Sequence, residues 1–251
     1  MKYYTKILIY STLPFLCLFA QMPQHAVAQA DEKRTDYQTW TDITLTYYHN
    51  DRLAYGGDIG IRGLISHQNW NSFYIRPTIH YKLSPYFKFS TGLGSFNTMD
   101  NSLSNTYEVR LFQDIRVYWP NISGINVSHR FRFEERYFMY DDLDNEQSFR
   151  ARYMLNLRTN NFRFIGPKKG YHVGVMWEAF VPIGKSAPEL FINNQRWYAV
   201  FGYRSSDAWR FELHYIWQQS RLFEDDGFVS NESVLRFRIL YSIQSKKFKG
   251  K

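Results

Sequence analysis

The densest group of ionisable side chains lies in one short run, His129-Arg130-Phe131-Arg132-Phe133-Glu134-Glu135-Arg136-Tyr137. Charged and aromatic residues alternate along it with a period of two, which is the period of a β-strand. Guanidinium groups on one strand face can bind carboxylates through charge-assisted hydrogen bonds, or they can attract anions into a water-filled path. The run therefore predicts a strand with one charged face and one apolar face.

The same alternation recurs in eleven segments, and in each of them the odd-numbered residues form the apolar set. Their 66 odd positions hold one formal charge, Glu135, whereas their even positions hold 24. Because nearly the whole chain is strand, no second layer remains to cover the apolar face. The pattern predicts an all-β fold, an antiparallel up-and-down transmembrane β-barrel of 10–12 strands with lipid outside and charge inside. The segments are 37–48, 53–64, 70–83, 86–96, 106–119, 124–137, 148–159, 170–183, 196–204, 208–219 and 234–243.

The connections suggest an orientation. Every second connection tends to be longer and polar, and outer-membrane barrels have long extracellular loops and short periplasmic turns. We therefore expect these loops to face outward. If the last strand ends in the periplasm, eleven strands would place the start of the first strand outside the cell. We therefore expect ten or twelve strands, so that either one strand is undetected or Tyr37–Tyr48 is not a full span. The clearest long connections are Asn97–Asn105, Asp141–Gln147, Gly184–Gln195 and Ser220–Ser233.

Residues 1–28 have the pattern of a secretory signal peptide. Two lysines precede the apolar stretch Ile7–Ala20, and small residues allow cleavage after Ala28 or Ala30. This predicts a barrel domain over 29–251 in the outer membrane of a Gram-negative bacterium, with outer-membrane lipid, lipopolysaccharide and the barrel assembly machinery as partners. The single cysteine, Cys17, lies in the signal peptide, so the mature chain has no thiol. Nucleic-acid binding is not expected of an exported chain with inward basic residues.

Aromatic residues make up 19% of the chain, and many lie near segment ends on the odd face. Such positions predict the two interfacial girdles of a membrane barrel. These residues are Tyr47, Tyr55, Phe73, Tyr81, Phe87, Tyr107, Trp119, Tyr171, Trp177, Trp197, Tyr203, Trp209 and Trp217.

The 24 even-face charges comprise 17 basic and seven acidic residues, a surplus of ten positive charges. We expect them to line the lumen, either as a salt-bridge ladder that fills it or as a path for small anionic solutes. If strands 106–119 and 124–137 pair with residue numbers summing to 244, Glu108 faces Arg136, Arg110 faces Glu134 and Asp114 faces Arg130. The predicted lumen-lining set is Arg110, Asp114, Arg116, Arg130, Arg132, Glu134, Arg136, Arg150, Arg152, Arg236 and Arg238.

No catalytic constellation is apparent, so we predict a non-enzymatic protein without cofactor or metal, either a narrow pore or a structural barrel. The alternative is a lipid-active hydrolase of the phospholipase or lipid A deacylase type, centred on His129 with Gln113 nearby but without a serine. His80, His172 and His214 point inward on separated strands without ligand spacing. Partner binding through the long loops is a third alternative.

Several stretches together resemble a known family over the whole mature chain and in order. These are Arg110-Leu-Phe-Gln-Asp114, Arg130–Arg136, Arg150-Ala-Arg-Tyr153, Trp177-Glu-Ala-Phe180, Asn194-Gln-Arg196 and Tyr215-Ile-Trp-Gln218, with Trp40 and Arg76-Pro77. The chain resembles the domain of unknown function 2490 family, predicted outer-membrane barrels of Gram-negative bacteria. The resemblance implies fold and location only.

Overall fold

The structure is a computed structural model that describes residues 35–65, 70–100, 105–141, 143–162, 170–184, 192–221 and 228–245. The predicted signal peptide lies outside these ranges. Eleven strands are found within them, and no helix there is long and apolar enough to cross a membrane. The strands are β1 (Thr35–Tyr48), β2 (Leu53–Leu64), β3 (Trp70–Lys82), β4 (Phe87–Asp100), β5 (Thr106–Tyr118), β6 (Ile125–Tyr140), β7 (Glu146–Thr159), β8 (Gly170–Ile183), β9 (Ile192–Arg204), β10 (Trp209–Arg221) and β11 (Phe228–Gln244).

The strands form one closed barrel in chain order, which confirms the predicted all-β, up-and-down barrel. Each strand is antiparallel to the next, and the barrel closes through a parallel pairing of β1 with β11. The expectation of ten or twelve strands was wrong, because parallel closure permits an odd number. β1 pairs with β11 from Thr35 to Tyr48 and with β2 from Gln38 to Tyr48, so it is a full strand.

The strands are strongly tilted. A path that steps from each residue to its direct partner on the next strand starts at Asn126 on β6, crosses every strand once and returns to β6 at Tyr140. The two ends of this path are offset along β6 by 140 − 126 = 14 residues. An offset larger than the strand number corresponds to a tilt of about 40°. Long side chains that point inward can therefore reach diagonal neighbours as readily as direct ones.

The two ends of the barrel carry different connections. We call one the turn end, with connections 49–52, 83–86, 119–124, 160–169 and 205–208, and the other the loop end, with 65–69, 101–105, 141–145, 184–191 and 222–227. The predicted long loops are shorter than expected, because strand pairing continues through polar residues: β4 extends to Asp100 and β11 begins at Phe228. The contrast in connection length that suggested an orientation is therefore weak.

Four of the turns contain the same type of side-chain to backbone hydrogen bond. Asn50, Ser84 and Ser206 each accept hydrogen bonds from the backbone N–H groups two and three residues later, and Asn121 accepts from Gly124 N. Such side-chain bonds replace backbone bonds in tight turns, which explains the preference for asparagine and serine there. Gly124 has a φ of 88°, in the left-handed region that glycine adopts most easily.

The outer surface is apolar in the middle and aromatic near both ends. The exposed large hydrophobic side chains within the strands are almost all odd-numbered, as predicted. On β1, Tyr37 and Tyr47 are both exposed and lie ten residues apart, with Ile43 and Leu45 between them. Ten residues of a strand tilted by about 40° span about 25 Å along the barrel axis, the height of the apolar band in membrane barrels.

Candidate functional site

The described residues enclose a large interior cavity of about 1030 Å³. Its described lining holds fifteen arginines and two lysines against six carboxylates. The lining extends from Arg52 and Pro85 in the turns at one end to Leu143 at the other. Of the predicted lumen-lining residues, ten contribute to this surface, and Glu134 lies wholly buried behind it.

A cluster that we call the ion-pair network is formed by Glu108, Arg110, Glu134, Arg136, Arg150 and Arg152, on β5, β6 and β7. Glu134 is fully buried and pairs with Arg150 and Arg152 at 2.7 Å each, and with Arg110 and Arg132 at 3.5 Å. Four guanidinium groups thus surround one carboxylate, which compensates a charge that would be costly to bury alone.

Two other buried carboxylates are also shared between arginines. Glu108 accepts from Arg110 at 2.7 Å and from Arg136 at 2.8 Å. Glu178 accepts from Arg130 at 2.5 Å, from Arg152 at 2.6 Å and from the Tyr198 hydroxyl at 2.7 Å. Each carboxylate therefore joins at least two arginines, so the bonds form a connected cluster.

The same sharing occurs at the closure of the barrel. Asp42 on β1 accepts from Arg236 at 2.6 Å and from Arg238 at 2.9 Å, both on the parallel strand β11. On β2 and β3, Arg76 donates through Nε to Asp58 at 2.9 Å. Asp42 therefore links the first and last strands electrostatically, next to the one parallel pairing.

The predicted register between β5 and β6 was wrong by two residues. Paired residue numbers sum to 246, which places Arg110 opposite Arg136 and Asp114 opposite Arg132. The Glu108–Arg136 and Arg110–Glu134 contacts still form, but diagonally, and Asp114 binds Arg132 instead of Arg130. Long arginine side chains in a tilted sheet reach these carboxylates from a diagonal position. Oppositely charged residues therefore did not need to be direct partners, and the register could not be predicted from them.

Aromatic rings and guanidinium groups form a second feature of the interior, which we call the aromatic–arginine layer: Trp40, Arg62, Tyr74 and Phe96, on β1 to β4. The Arg62 guanidinium lies 4.4 Å from the Trp40 ring centroid and 4.7 Å from that of Tyr74. No carboxylate of the described residues pairs with Arg62, and its Nε has no hydrogen-bond partner there. Cation–π contacts therefore hold this cation in the cavity wall.

Glycines on neighbouring strands make room for these interior rings. A Cβ added at Gly60 would lie 2.7 Å from the Tyr74 hydroxyl oxygen, and one at Gly92 would lie 2.7 Å from Phe112 Cζ. Each ring thus lies against the bare backbone of the adjacent strand. Gly60 and Gly92 are therefore explained by packing of inward aromatic residues.

Two inward histidines meet at one carboxylate, which the sequence analysis missed. Glu212 on β10 lies 3.0 Å from His214 Nε2 and 3.4 Å from His172 Nε2, although His172 is on β8. Gly202 on the intervening strand β9 allows this approach, since a Cβ there would lie 2.0 Å from His172 Cε1. No group of three metal-ligating side chains is found in the described residues, so the cluster offers a hydrogen-bonded pair and no metal site.

His129, the centre of the alternative hydrolase prediction, is on the outer face. Its Nδ1 lies 2.7 Å from the Tyr153 hydroxyl, and its direct partners are Val117 and Leu155. Gln113 is opposite Phe133 and is not beside His129, contrary to expectation. Within the described part of the chain, no serine hydroxyl or carboxylate contacts His129, and the geometry does not form a nucleophile and base pair there.

A closed barrel of mainly antiparallel strands with arginine and carboxylate clusters inside defines the structural class. The sequence matches the family described as "Protein of unknown function (DUF2490)" over residues 37–229, and the chain belongs to that family. This confirms the resemblance found in the sequence. A comparison with curated proteins finds none that matches.

Proposed function

We propose that the protein is an outer-membrane β-barrel whose interior is a narrow path for small anionic solutes. The observation that carries the proposal is the charge imbalance of the cavity wall, with fifteen arginines and two lysines against six carboxylates. A cavity with low-dielectric walls and one sign of charge raises the local concentration of counter-ions. The proposal therefore favours anions over cations.

Support for a membrane location comes from the outer surface. Exposed Ile, Leu, Val and Phe side chains lie between aromatic residues near the two strand ends. In water such a continuous apolar surface would promote association, whereas hydrocarbon stabilises it. The proposed orientation places the loop end outside the cell and the turn end in the periplasm.

The narrowness of the proposed path follows from the packing of its wall. Trp40, Tyr74, Phe96 and Phe112 are all buried, and rings from β1 to β5 thus occupy part of the cross-section. Arg62 lies on this aromatic surface with its charge uncompensated by any described carboxylate. Arg62 is therefore the residue that we expect to contribute most to anion preference.

Current through a planar bilayer tests the path. We expect a small conductance and, under a potassium chloride gradient, a reversal potential of the sign given by chloride preference. Arg62→Gln should reduce that preference. Arg204→Gln, which removes a partly exposed cation at the turn end already paired with Asp207 at 3.0 Å, is the matched control and should not. Absence of current would favour a structural barrel, and cation preference would contradict the proposal.

Cell fractionation tests the location separately. We expect the protein in the outer-membrane pellet, with migration on gels that changes on heating because the folded barrel resists detergent unfolding. Recovery from a periplasmic extract without detergent would contradict the membrane location.

A further inference from the structure

Four cations stand directly opposite one another across four strands near the turn end. Lys82 on β3 faces Lys88 on β4, Lys88 faces Arg116 on β5, and Arg116 faces Arg130 on β6. All four line the cavity. We call this set the basic row; the Cβ atoms of directly opposed residues are about 5 Å apart.

Asp114 and Glu178, which lie near the basic row, each bind an arginine outside it. Asp114, two residues from Arg116, accepts from both Nε and Nη2 of Arg132, at 2.6 and 2.9 Å. Glu178 pairs with Arg130 but also with Arg152. Among the described residues, Lys82, Lys88 and Arg116 make no ion pair, and the buried Nε of Arg130 has no hydrogen-bond partner.

This arrangement is unfavourable without a counter-charge. Like charges directly opposite each other destabilise a sheet, and three successive pairs of them occur here. The ion-pair network shows that the same strands, β5 and β6, can place carboxylates between arginines. In the basic row, only Arg130 has a carboxylate partner among the described residues, and Lys82, Lys88 and Arg116 are left to solvent or to a negative group from outside the chain.

From this geometry we infer that the basic row binds a small oxyanion with two or more negative charges, of the phosphate type, entering from the turn end. Side chains whose Cβ atoms are about 5 Å apart can converge on a ligand that carries several negative oxygens, and a single monovalent ion would neutralise only one of the cations. Lys82 is the last residue of β3, so the row begins at the mouth of the cavity. The inference rests on the proposed function, to which it adds a binding site and a ligand class.

Calorimetry on the full-length protein in nonionic detergent micelles tests the site. Sodium pyrophosphate is titrated at constant ionic strength, with sodium chloride as the reference salt. We expect a Kd below about 1 mM for pyrophosphate. Arg116→Gln should weaken binding at least about tenfold, because a charge-assisted hydrogen bond is lost. Arg204→Gln removes an equal charge at the same barrel end and should change Kd less than about twofold.

A second variant keeps the test decisive if Arg116→Gln folds poorly. Arg116→Glu places a carboxylate opposite both Lys88 and Arg130, so it should raise the thermal unfolding midpoint and abolish pyrophosphate binding. A wild-type protein that does not bind pyrophosphate, or an Arg116→Glu variant that still binds it, would overturn the inference. Equal losses in Arg116→Gln and Arg204→Gln would also overturn it, since general charge attraction would then suffice.

The inference and the proposed function fail separately. Pyrophosphate binding without any current would support the binding site and contradict the proposed anion path. Anion-selective current without pyrophosphate binding would support the proposed anion path and contradict the binding site. Glucose 6-phosphate, titrated in parallel, distinguishes a site for free oxyanions from one that also accepts a phosphate carried on an organic solute.

Discussion

The ion-pair network and the basic row both lie in the interior of the barrel, on overlapping sets of strands, and differ in how their cationic side chains are compensated. In the network, Glu134 is surrounded by four arginines and has no exposed surface. In the basic row, Lys88 and Arg116 face other cations and are only half-buried. The network thus compensates its charges within the chain, whereas Lys82, Lys88 and Arg116 of the row are left to solvent or to a ligand.

This difference separates stability from binding. A buried charge whose partner is removed is strongly destabilising, because the remaining charge stays in a medium that solvates it poorly. A half-buried cation near a mouth retains water and loses less. We therefore expect substitutions in the network to act on the free energy of unfolding, and substitutions in the row to act mainly on ligand affinity.

The largest expected effect is that of Glu134→Gln. It removes the carboxylate shared by Arg110, Arg132, Arg150 and Arg152, and should lower the free energy of unfolding by about 3–5 kcal/mol. Urea unfolding followed by tryptophan fluorescence measures it. Glu135→Gln is the matched control, because Glu135 is the next residue but lies on the outer face, opposite Leu111 and Phe149. Similar losses in the two variants would mean that the network does not stabilise the barrel.

A smaller effect is expected for Gly202→Ala, at a tightly packed point near the turn end. The new Cβ would lie 2.0 Å from His172 Cε1 and 2.2 Å from Nε2, and His172 is too buried to move freely. Overpacking of this kind costs about 1–3 kcal/mol. Gly63→Ala is the control, since its Cβ would meet only the exposed Asn71 amide. If both variants unfold at the wild-type urea concentration, the His172–Glu212 contact is not tightly constrained.

The basic row should make stability depend on the anion present. At a pyrophosphate concentration of ten times Kd, binding to the folded state alone adds about 1.4 kcal/mol to the free energy of unfolding. The thermal midpoint should rise in pyrophosphate relative to sodium chloride of equal ionic strength, and Arg116→Gln should abolish the rise. A rise that persists in this variant would assign the effect to general salting-out.

The sequence predicted the barrel, the face of each strand and most of the charged residues of the cavity wall, because period-two alternation is local. It predicted some of the ion-pair partners but not the register that brings them together. Arg110 and Glu134 contact each other as expected, but in a different register, since side-chain reach and strand tilt are properties of the closed sheet. The parallel β1–β11 closure likewise depends on residues 190 or more apart in the chain, for which alternation gives no signal.

The His172–Glu212–His214 cluster shows why part of the site was missed. His172 is on β8 and His214 is on β10, and β9 lies between these two strands. Alternation along the chain therefore did not indicate a contact between the histidines. Gly202 between them was the available signal, because a glycine inside a strand often marks a close approach of a neighbouring side chain. The basic row carried a comparable signal: Lys82 and Lys88 flank a short turn, which makes them direct partners in a hairpin.

The smallest effect should come from the exposed ion pair between Arg204 and Asp207. Its Nη2–Oδ1 distance of 3.0 Å is close to the 2.7 Å of the Arg150–Glu134 pair, yet the Asp207 side chain is 96% exposed and that of Glu134 is 0% exposed. Water and salt screen an exposed pair, and holding both side chains costs entropy. Asp207→Asn should therefore leave the midpoint of urea unfolding unchanged, alongside the large shift of Glu134→Gln. A comparable shift in Asp207→Asn would show that burial does not determine how much an ion pair stabilises this barrel.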